Sequence, residues 1–210
     1  MSKIKAIIFD MDGVLIDAKD WHYEALNRAL HHFGYKISRY DHLVTFDGLP
    51  TRKKLEMLTR EQGLPESLHG FLNELKQIYT TELVHAQCKP IFQHEYALAQ
   101  LRAAGYKIAV ASNSIRNSID LMMQKSNLRS YLDAIVSNQD VKEGKPDPEI
   151  YVKTMALLEV APDETLVVED NDHGIAAARA AGTHVMIVGQ VMDVTFDNIA
   201  RHLKQVEVSK

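Results

Sequence analysis

Two acidic residues, Asp10 and Asp12, stand two positions apart where an apolar run stops: Ile4-Lys5-Ala6-Ile7-Ile8-Phe9 gives way to Asp10-Met11-Asp12-Gly13-Val14-Leu15-Ile16-Asp17. A β-branched run of this kind reads as a buried strand, and open α/β sheets place ligands at the C-terminal ends of their strands. Carboxylates beside such a strand are costly to bury unless a cation or hydrogen bonds compensate them. Gly13 lets the backbone turn sharply under whatever binds. A site for a metal ion and a phosphate meets both demands. An ordinary turn with Asp at its favoured positions meets the spacing too, so the D-x-D-G segment alone leaves both open.

Three later clusters bear on the choice: Ser112-Asn113-Ser114, Glu143-Gly144-Lys145-Pro146-Asp147-Pro148, and Glu169-Asp170-Asn171-Asp172. Phosphoryl transfer needs a nucleophile, a metal to neutralise oxygens, donors around the equatorial oxygens and an acid for the leaving group. Asp10 could attack phosphorus as a carboxylate, and Asp12 could protonate the departing oxygen. Ser112 and Asn113, with nearby backbone N–H groups, could hold phosphate oxygens. Lys145 is flanked by a glycine and prolines that fix its loop, and its compact cation suits a carboxylate or phosphoryl oxygen. Glu169 and Asp170 add hard oxygen ligands of the kind Mg²⁺ takes.

These residues must be positioned by elements, and the pattern around them shows which. Lys107-Ile108-Ala109-Val110-Ala111 runs into Ser112, and Thr165-Leu166-Val167-Val168 runs into Glu169. Ala134-Ile135-Val136 and His184 to Val188 read as two further strands. Helical patterns lie between them, among them Tyr96 to Ala104 closed by Gly105 and Gly174 to Ala181 closed by Gly182. Strands alternating with helices imply a doubly wound parallel sheet, Rossmann-like, with its polar strand ends along one edge. From Asp17 to about Pro90 the texture changes to helical periodicity, in Trp21, Ala25, Leu26, Ala29, Leu30 and Phe33 and again from Leu68 to Tyr79. Residues 17–90 are therefore expected to form an inserted helical cap, and 1–16 with 91–210 the α/β core.

The bulk numbers restrict the partners. With 46% hydrophobic and 25% charged residues and a net charge of −4 over 210 residues, the chain is an ordinary globular protein. A pI near 6.2 is not that of a nucleic-acid binder. One cysteine, Cys88, cannot form an internal disulfide. Asp10 interrupts the N-terminal apolar run before a signal-peptide core could form, and no stretch approaches the ~20 apolar residues of a membrane span. A cytoplasmic protein without nucleic-acid or membrane partners is expected; the oligomeric state is left open.

Taken in order, the four clusters resemble the four motifs of the haloacid dehalogenase superfamily: the D-x-D-G-[VT] strand end, the S-N-[ST] strand end, the K-P-x-P lysine and the E-D-[SN]-x-x-G-x-x-A-A-x-x-A-G segment, matched here from Glu169 to Gly182. The resemblance covers residues 4 to about 189. The insertion point resembles the helical-cap subgroup to which β-phosphoglucomutase and phosphoglycolate phosphatase belong. One position departs, Asn171, where relatives most often carry serine. The resemblance implies that Asp10 is the phosphorylated nucleophile and that Asp12 is the general acid and base, binding metal through its carbonyl. It further implies that Ser112 and Asn113 bind phosphate, that Lys145 orients Asp10 and the phosphate, and that Asp170 binds Mg²⁺ with Glu169 as ligand or support. Relatives that break carbon–halogen bonds or phosphonates lack an acid at the position of Asp12, which favours phosphate esters here.

In the cap, Gly48-Leu49-Pro50-Thr51-Arg52 resembles the specificity loop of capped relatives, and His22 lies about one turn into the first cap helix. His22, Gly48 and Arg52 are thus candidates for contact with the substrate's leaving group. Equally, His22 reads as a half-exposed helix residue, and Arg52-Lys53-Lys54 as the solvated start of a helix containing Leu55 and Leu58. The expected activity is hydrolysis of a small phosphorylated metabolite, such as a sugar phosphate. The alternatives are a sugar phosphomutase, which returns the phosphoryl group to the sugar, and a non-catalytic binding protein. Mutases that the chain resembles place their cap arginine one residue nearer the loop glycine than Arg52 is to Gly48, and carry tryptophan where this cap has Leu26; both differences favour hydrolysis.

Overall fold

A computed structural model describes residues 4–208; residues 1–3 and 209–210 of the expected core lie outside the described residues. The chain divides into two compact units, Met1–Asp17 with Lys89–Lys210, and Ala18–Cys88.

The first unit holds β1 (Ala6–Phe9), β2 (Lys107–Ala111), β3 (Ala134–Val136), β4 (Thr165–Glu169) and β5 (His184–Ile187) in one parallel sheet of order β3-β2-β1-β4-β5. The strand that begins the sequence is thus the central one. From it the chain moves outward on one side through β2 and β3, then returns to the other side for β4 and β5. That reversal opens a crevice at the strand ends, where doubly wound sheets bind ligands. Continuous rather than alternating apolar runs suit a sheet covered on both faces. Ala6, Ile8, Ala109, Ala111, Val136 and Val167 pack with Ile150, Met155 and Leu158 of the helix Glu149–Leu158 and with Ala177 and Ala178 of the helix Asp172–Ala180. The helix Phe92–Ala103 lies against β2 and the helix Phe196–Val208 against β5. Gly105, at φ +88°, reverses the chain after Phe92–Ala103 as a helix-ending glycine does.

The second unit is helical: α1 (Lys19–His31), α2 (Arg39–Val44), α3 (Thr51–Gln62) and α4 (His69–Gln87). Its core gathers Leu26, Ala29, Leu30, Ile37, Phe46, Leu55, Leu58, Leu64 and Leu72, the periodic positions of α1, α3 and α4 with the loops between them. The six-residue α2 is too short to display a period and was not among the expected helices; it forms behind Ser38, whose hydroxyl accepts from the Asp41 N–H at 3.0 Å as a helix cap. The side chain of Asn27 holds the loop after α1, with Oδ1 accepting from Ile37 N at 2.8 Å and Nδ2 donating to Ile37 O at 3.1 Å.

Candidate active site

Register brings the first and last acidic clusters together. Phe9 pairs with Val110 of β2 and Val168 of β4, so Asp10 emerges level with Ala111, one residue before Ser112, on one side and with Glu169 on the other. Asp10 N donates to Val168 O at 3.0 Å, and Ser112 N to Val136 O at 3.0 Å, which extends the ladder to the two residues where the sheet gives way to loops. After Asp10 the backbone folds tightly: the amides of Leu15 and Ile16 both donate to Met11 O, and Gly13, at φ +92°, donates to Ile16 O at 2.7 Å. That φ lies where glycine is favoured, as the expected sharp turn requires.

Lys145 sits in the middle of the site. It lies between β3 and Glu149–Leu158 in sequence and is 5% exposed, and its Nζ donates to Asp10 Oδ1 and to Glu169 Oε1 at 2.6 Å each. Glu169 is 1% exposed and is held from four directions: Oε1 also accepts from the Tyr151 hydroxyl at 2.6 Å, and Oε2 from the backbone N–H of Asp170 at 3.1 Å and of Asn171 at 3.3 Å. A carboxylate offers about four acceptor positions, so Glu169 is saturated. It can come this close to Asp172–Ala180 because position 174 is glycine; a Cβ there would fall within the Glu169 carboxylate. Asp12 is fixed by Ser114, whose hydroxyl donates to Oδ2 at 2.9 Å, and Ser114 N donates to Ser112 Oγ at 3.1 Å.

The electrostatics run in one direction. Asp10, Asp12, Glu169 and Asp170 set four carboxylates against the one ammonium of Lys145. Burial pushes the Asp10 pKa well above the usual carboxylate range, Lys145 pulls against that, and Glu169, Asp12 and Asp170 push it further up. Burial on its own would lower the Lys145 pKa, but Asp10 and Glu169 outweigh it and hold it above the usual lysine value. Burial, with Glu169 and Asp10 beside it, likewise raises Tyr151 well above the ordinary phenol, so it stays a hydroxyl that donates. All three shifts are upward: burial leads for Asp10 and Tyr151, the neighbouring carboxylates add to both, and for Lys145 those carboxylates outweigh burial, a local excess of negative charge that added positive charge would relieve. Ligand oxygens of Asp10, Glu169 and Asp170 lie within 4.8 Å of one another, hard oxygens that suit a divalent cation such as Mg²⁺, with Glu169 beside the ligands rather than among them because its four donors already fill it.

Asp10, Asp12, Ser112, Lys145, Glu169 and Asp170 therefore share one end of the sheet, as the motifs imply. The Asn113 amide lies on the backbone of Lys145, with Oδ1 accepting from Lys145 N at 2.9 Å and Nδ2 donating to Lys145 O at 3.2 Å. Tyr151 carries no signal in the sequence, because a tyrosine at an apolar helical position looks like core. Ser114 and Gly174 fall inside the motifs, and only the fold shows that Ser114 holds Asp12 and that Gly174 makes room for Glu169.

In the helical unit, His22 is the fourth residue of α1 and accepts at Nδ1 from Lys76 Nζ at 3.2 Å. Gly48 adopts φ +70°. Arg52 is not in a loop: α3 begins at Thr51, with extended Pro50 as its cap, and the Arg52 side chain is 77% exposed and pairs with Glu56 one turn on at 3.3 Å.

A model of the haloacid dehalogenase-like hydrolase family matches residues 7–188, and the chain belongs to that family. A phosphorylated carbohydrates phosphatase of Thermotoga maritima is 30% identical over 187 residues, 85% of this chain and 82% of that protein. A phosphoglycolate phosphatase of Aquifex aeolicus is 30% identical over 200 residues, 91% of this chain and 92% of that protein. Among solved structures, β-phosphoglucomutase from Clostridium difficile superposes with a TM-score of 0.85 at 23% identity, covering 98% of this chain and 99% of that one, a likeness of fold. No helix among the described residues is long and apolar enough to cross a membrane.

Proposed function

We propose that the protein is a Mg²⁺-dependent phosphatase that hydrolyses a small phosphorylated metabolite, a sugar phosphate or similar polyol phosphate, through a phosphoryl group carried on Asp10. The observation that carries this reading is the buried bridge from Lys145 to Asp10 and Glu169 at 2.6 Å each, inside a cluster with three carboxylates more than it has ammonium groups. Phosphatase relatives that align along most of the chain support it.

In the first step a carboxylate oxygen of Asp10 attacks phosphorus, the bond to the ester oxygen breaks, and Asp12 gives that oxygen a proton. In the second, water attacks the phosphorus of the aspartyl phosphate, Asp12 takes the water's proton, and inorganic phosphate leaves with Asp10 restored. Lys145 holds Asp10 in one rotamer and faces the charge that develops on the phosphoryl oxygens. Ser114 keeps the Asp12 carboxylate oriented for both proton transfers. Ser112, whose Oγ accepts from Ser114 N, sits at the end of β2 where a phosphate oxygen would be met. Asp10, Asp170 and the Asp12 carbonyl would hold the ion, while Glu169, saturated by its four donors, supports Lys145 instead. The ion, when bound, offsets the repulsion between Asp10 and the phosphoryl group and polarises the phosphoryl oxygens.

His22, Gly48 and Arg52 are assigned to selection of the leaving group, and the protein is placed in the cytoplasm, in keeping with its single cysteine. A screen of phosphorylated metabolites on metal-stripped protein tests the proposal. Phosphate release should appear with Mg²⁺ and vanish in excess chelator; full activity in chelator contradicts it. Binding of phosphate esters without turnover of any, a generic aryl phosphate included, would make it a binding protein. Adding a sugar bisphosphate extends the same assay: a sugar monophosphate converted into its positional isomer faster than phosphate is released would make it a phosphomutase.

A further inference from the structure

Lys145 lies on a loop, yet it must place one ammonium against two carboxylates. Loops wander unless something ties them, and a misplacement of about 1 Å at a reacting centre can cost roughly 10²-fold in rate. Part of the tie is local: Glu149 Oε2 accepts from the N–H of Lys142 at 2.9 Å and of Glu143 at 3.1 Å, and Asp147 N donates to Gly144 O at 3.1 Å. These bonds shape the loop without fixing it to the sheet. Asn113 does that. From the end of β2 its amide grips the N–H and the C=O of Lys145 at 2.9 and 3.2 Å, on both sides of one Cα, which sets the direction in which the lysine side chain leaves the backbone.

Gly144 supplies a second, independent observation. Its backbone is outside the left-handed region, so its conformation alone does not call for glycine. A Cβ at position 144 would instead stand 2.5 Å from Asn113 Oδ1 and 3.3 Å from its Cγ. The residue is small where the Asn113 amide passes.

We propose that Asn113 is a positioning residue for Lys145 rather than a phosphate ligand, and that Gly144 is the gap through which its amide reaches the loop. The inference rests on the reading of Lys145 given under the proposed function.

A double-mutant cycle on hydrolysis of an aryl phosphate tests it, with thermal melting as the check that each variant is folded. Asn113→Ala should lower kcat by roughly 10- to 100-fold while KM moves less than about threefold. In a Lys145→Ala background the same substitution should cost less than about threefold, because its effect runs through the lysine. Losses that multiply in the double variant overturn the inference, since an effect that runs through Lys145 disappears with it. Wild-type turnover in Lys145→Ala alone would instead overturn the reading of the site, whatever Asn113 does. The pair Asn113 and Gly144 gives a second cycle that does not depend on residual activity without the lysine. Gly144→Ala should lower kcat in the native background and cost nothing further with Asn113→Ala, where the clash is gone. A Gly144→Ala loss of the same size in both backgrounds would contradict the assignment.

Discussion

Each unit uses an asparagine to hold a length of backbone through the same two hydrogen bonds, and the two asparagines have opposite surroundings. Asn27 grips Ile37 amid Leu26, Ala29 and Leu30, so the bonds satisfy peptide groups within an apolar core. Asn113 grips Lys145, whose ammonium lies between two buried carboxylates. The first arrangement contributes stability and the second geometry. The same contrast extends to titratable groups. The helical unit buries His42 as a neutral ring whose Nε2–H donates to Lys19 O at 3.1 Å, and burial, with Lys54 nearby, lowers its pKa to about 4. The α/β unit buries His94 in the same way, with its Nε2–H donating to Val191 O at 2.8 Å and its pKa lowered by burial, but at the sheet edge it buries Asp10, Glu169 and Lys145 as partners of one another. Burying paired charges is weak evidence of a gain in stability, so their concentration at one sheet edge is better explained by chemistry.

The comparison breaks first at Lys145. Lys145→Ala should depress all substrates together, by on the order of 10²-fold or more in kcat/KM, as for loss of a group that stabilises transition-state charge. An effect confined to one substrate would move Lys145 to the selectivity side. Asn27→Ala should do the reverse. It strands the N–H and C=O of Ile37 in an apolar core and should cost about 1–3 kcal/mol in denaturant unfolding, with kcat for an aryl phosphate unchanged. Lost turnover without lost stability would erase the distinction between the two asparagines.

His42 sharpens the contrast through pH. Its folded pKa lies below the unfolded value of about 6.5, so between those values the unfolded chain binds the proton more readily, and stability falls as pH falls from about 6.5 toward 4. From pH 7 to pH 5 that share is about 2 kcal/mol. His42→Gln should flatten the slope of stability against pH in this window by nearly one proton; an unchanged slope would mean His42 is not neutral in the fold. The smallest effect is expected of the cap candidates. Alanine at His22 or Arg52 should reorder sugar phosphates while lowering aryl phosphate turnover by less than about tenfold, or 1.4 kcal/mol of barrier.

Much of this was legible because the informative residues sit where one pattern ends and another begins. β2 and β3 have the bounds that their apolar runs indicate, and Asp10, Ser112 and Glu169 fall at or just past the strand ends. What could not be read depends on distance through space. Tyr151 reaches Glu169 from a different element, at a helical position whose spacing suits core. Asn113 looks like a phosphate donor because it follows Ser112, and only the fold shows its amide on Lys145. Arg52 follows the helix-start reading of its segment: extended Pro50 precedes α3, and Arg52 stands exposed in the first turn with Glu56 as its partner.

The central claim is that Asp10 carries the phosphoryl group. Intact-mass and peptide mass spectrometry of protein quenched during turnover tests it most directly. One added phosphoryl group on the peptide holding Asp10, present with Mg²⁺ and absent in Asp10→Asn, is the expected result. A phosphoryl group on any other residue, or one that persists in Asp10→Asn, would contradict the account.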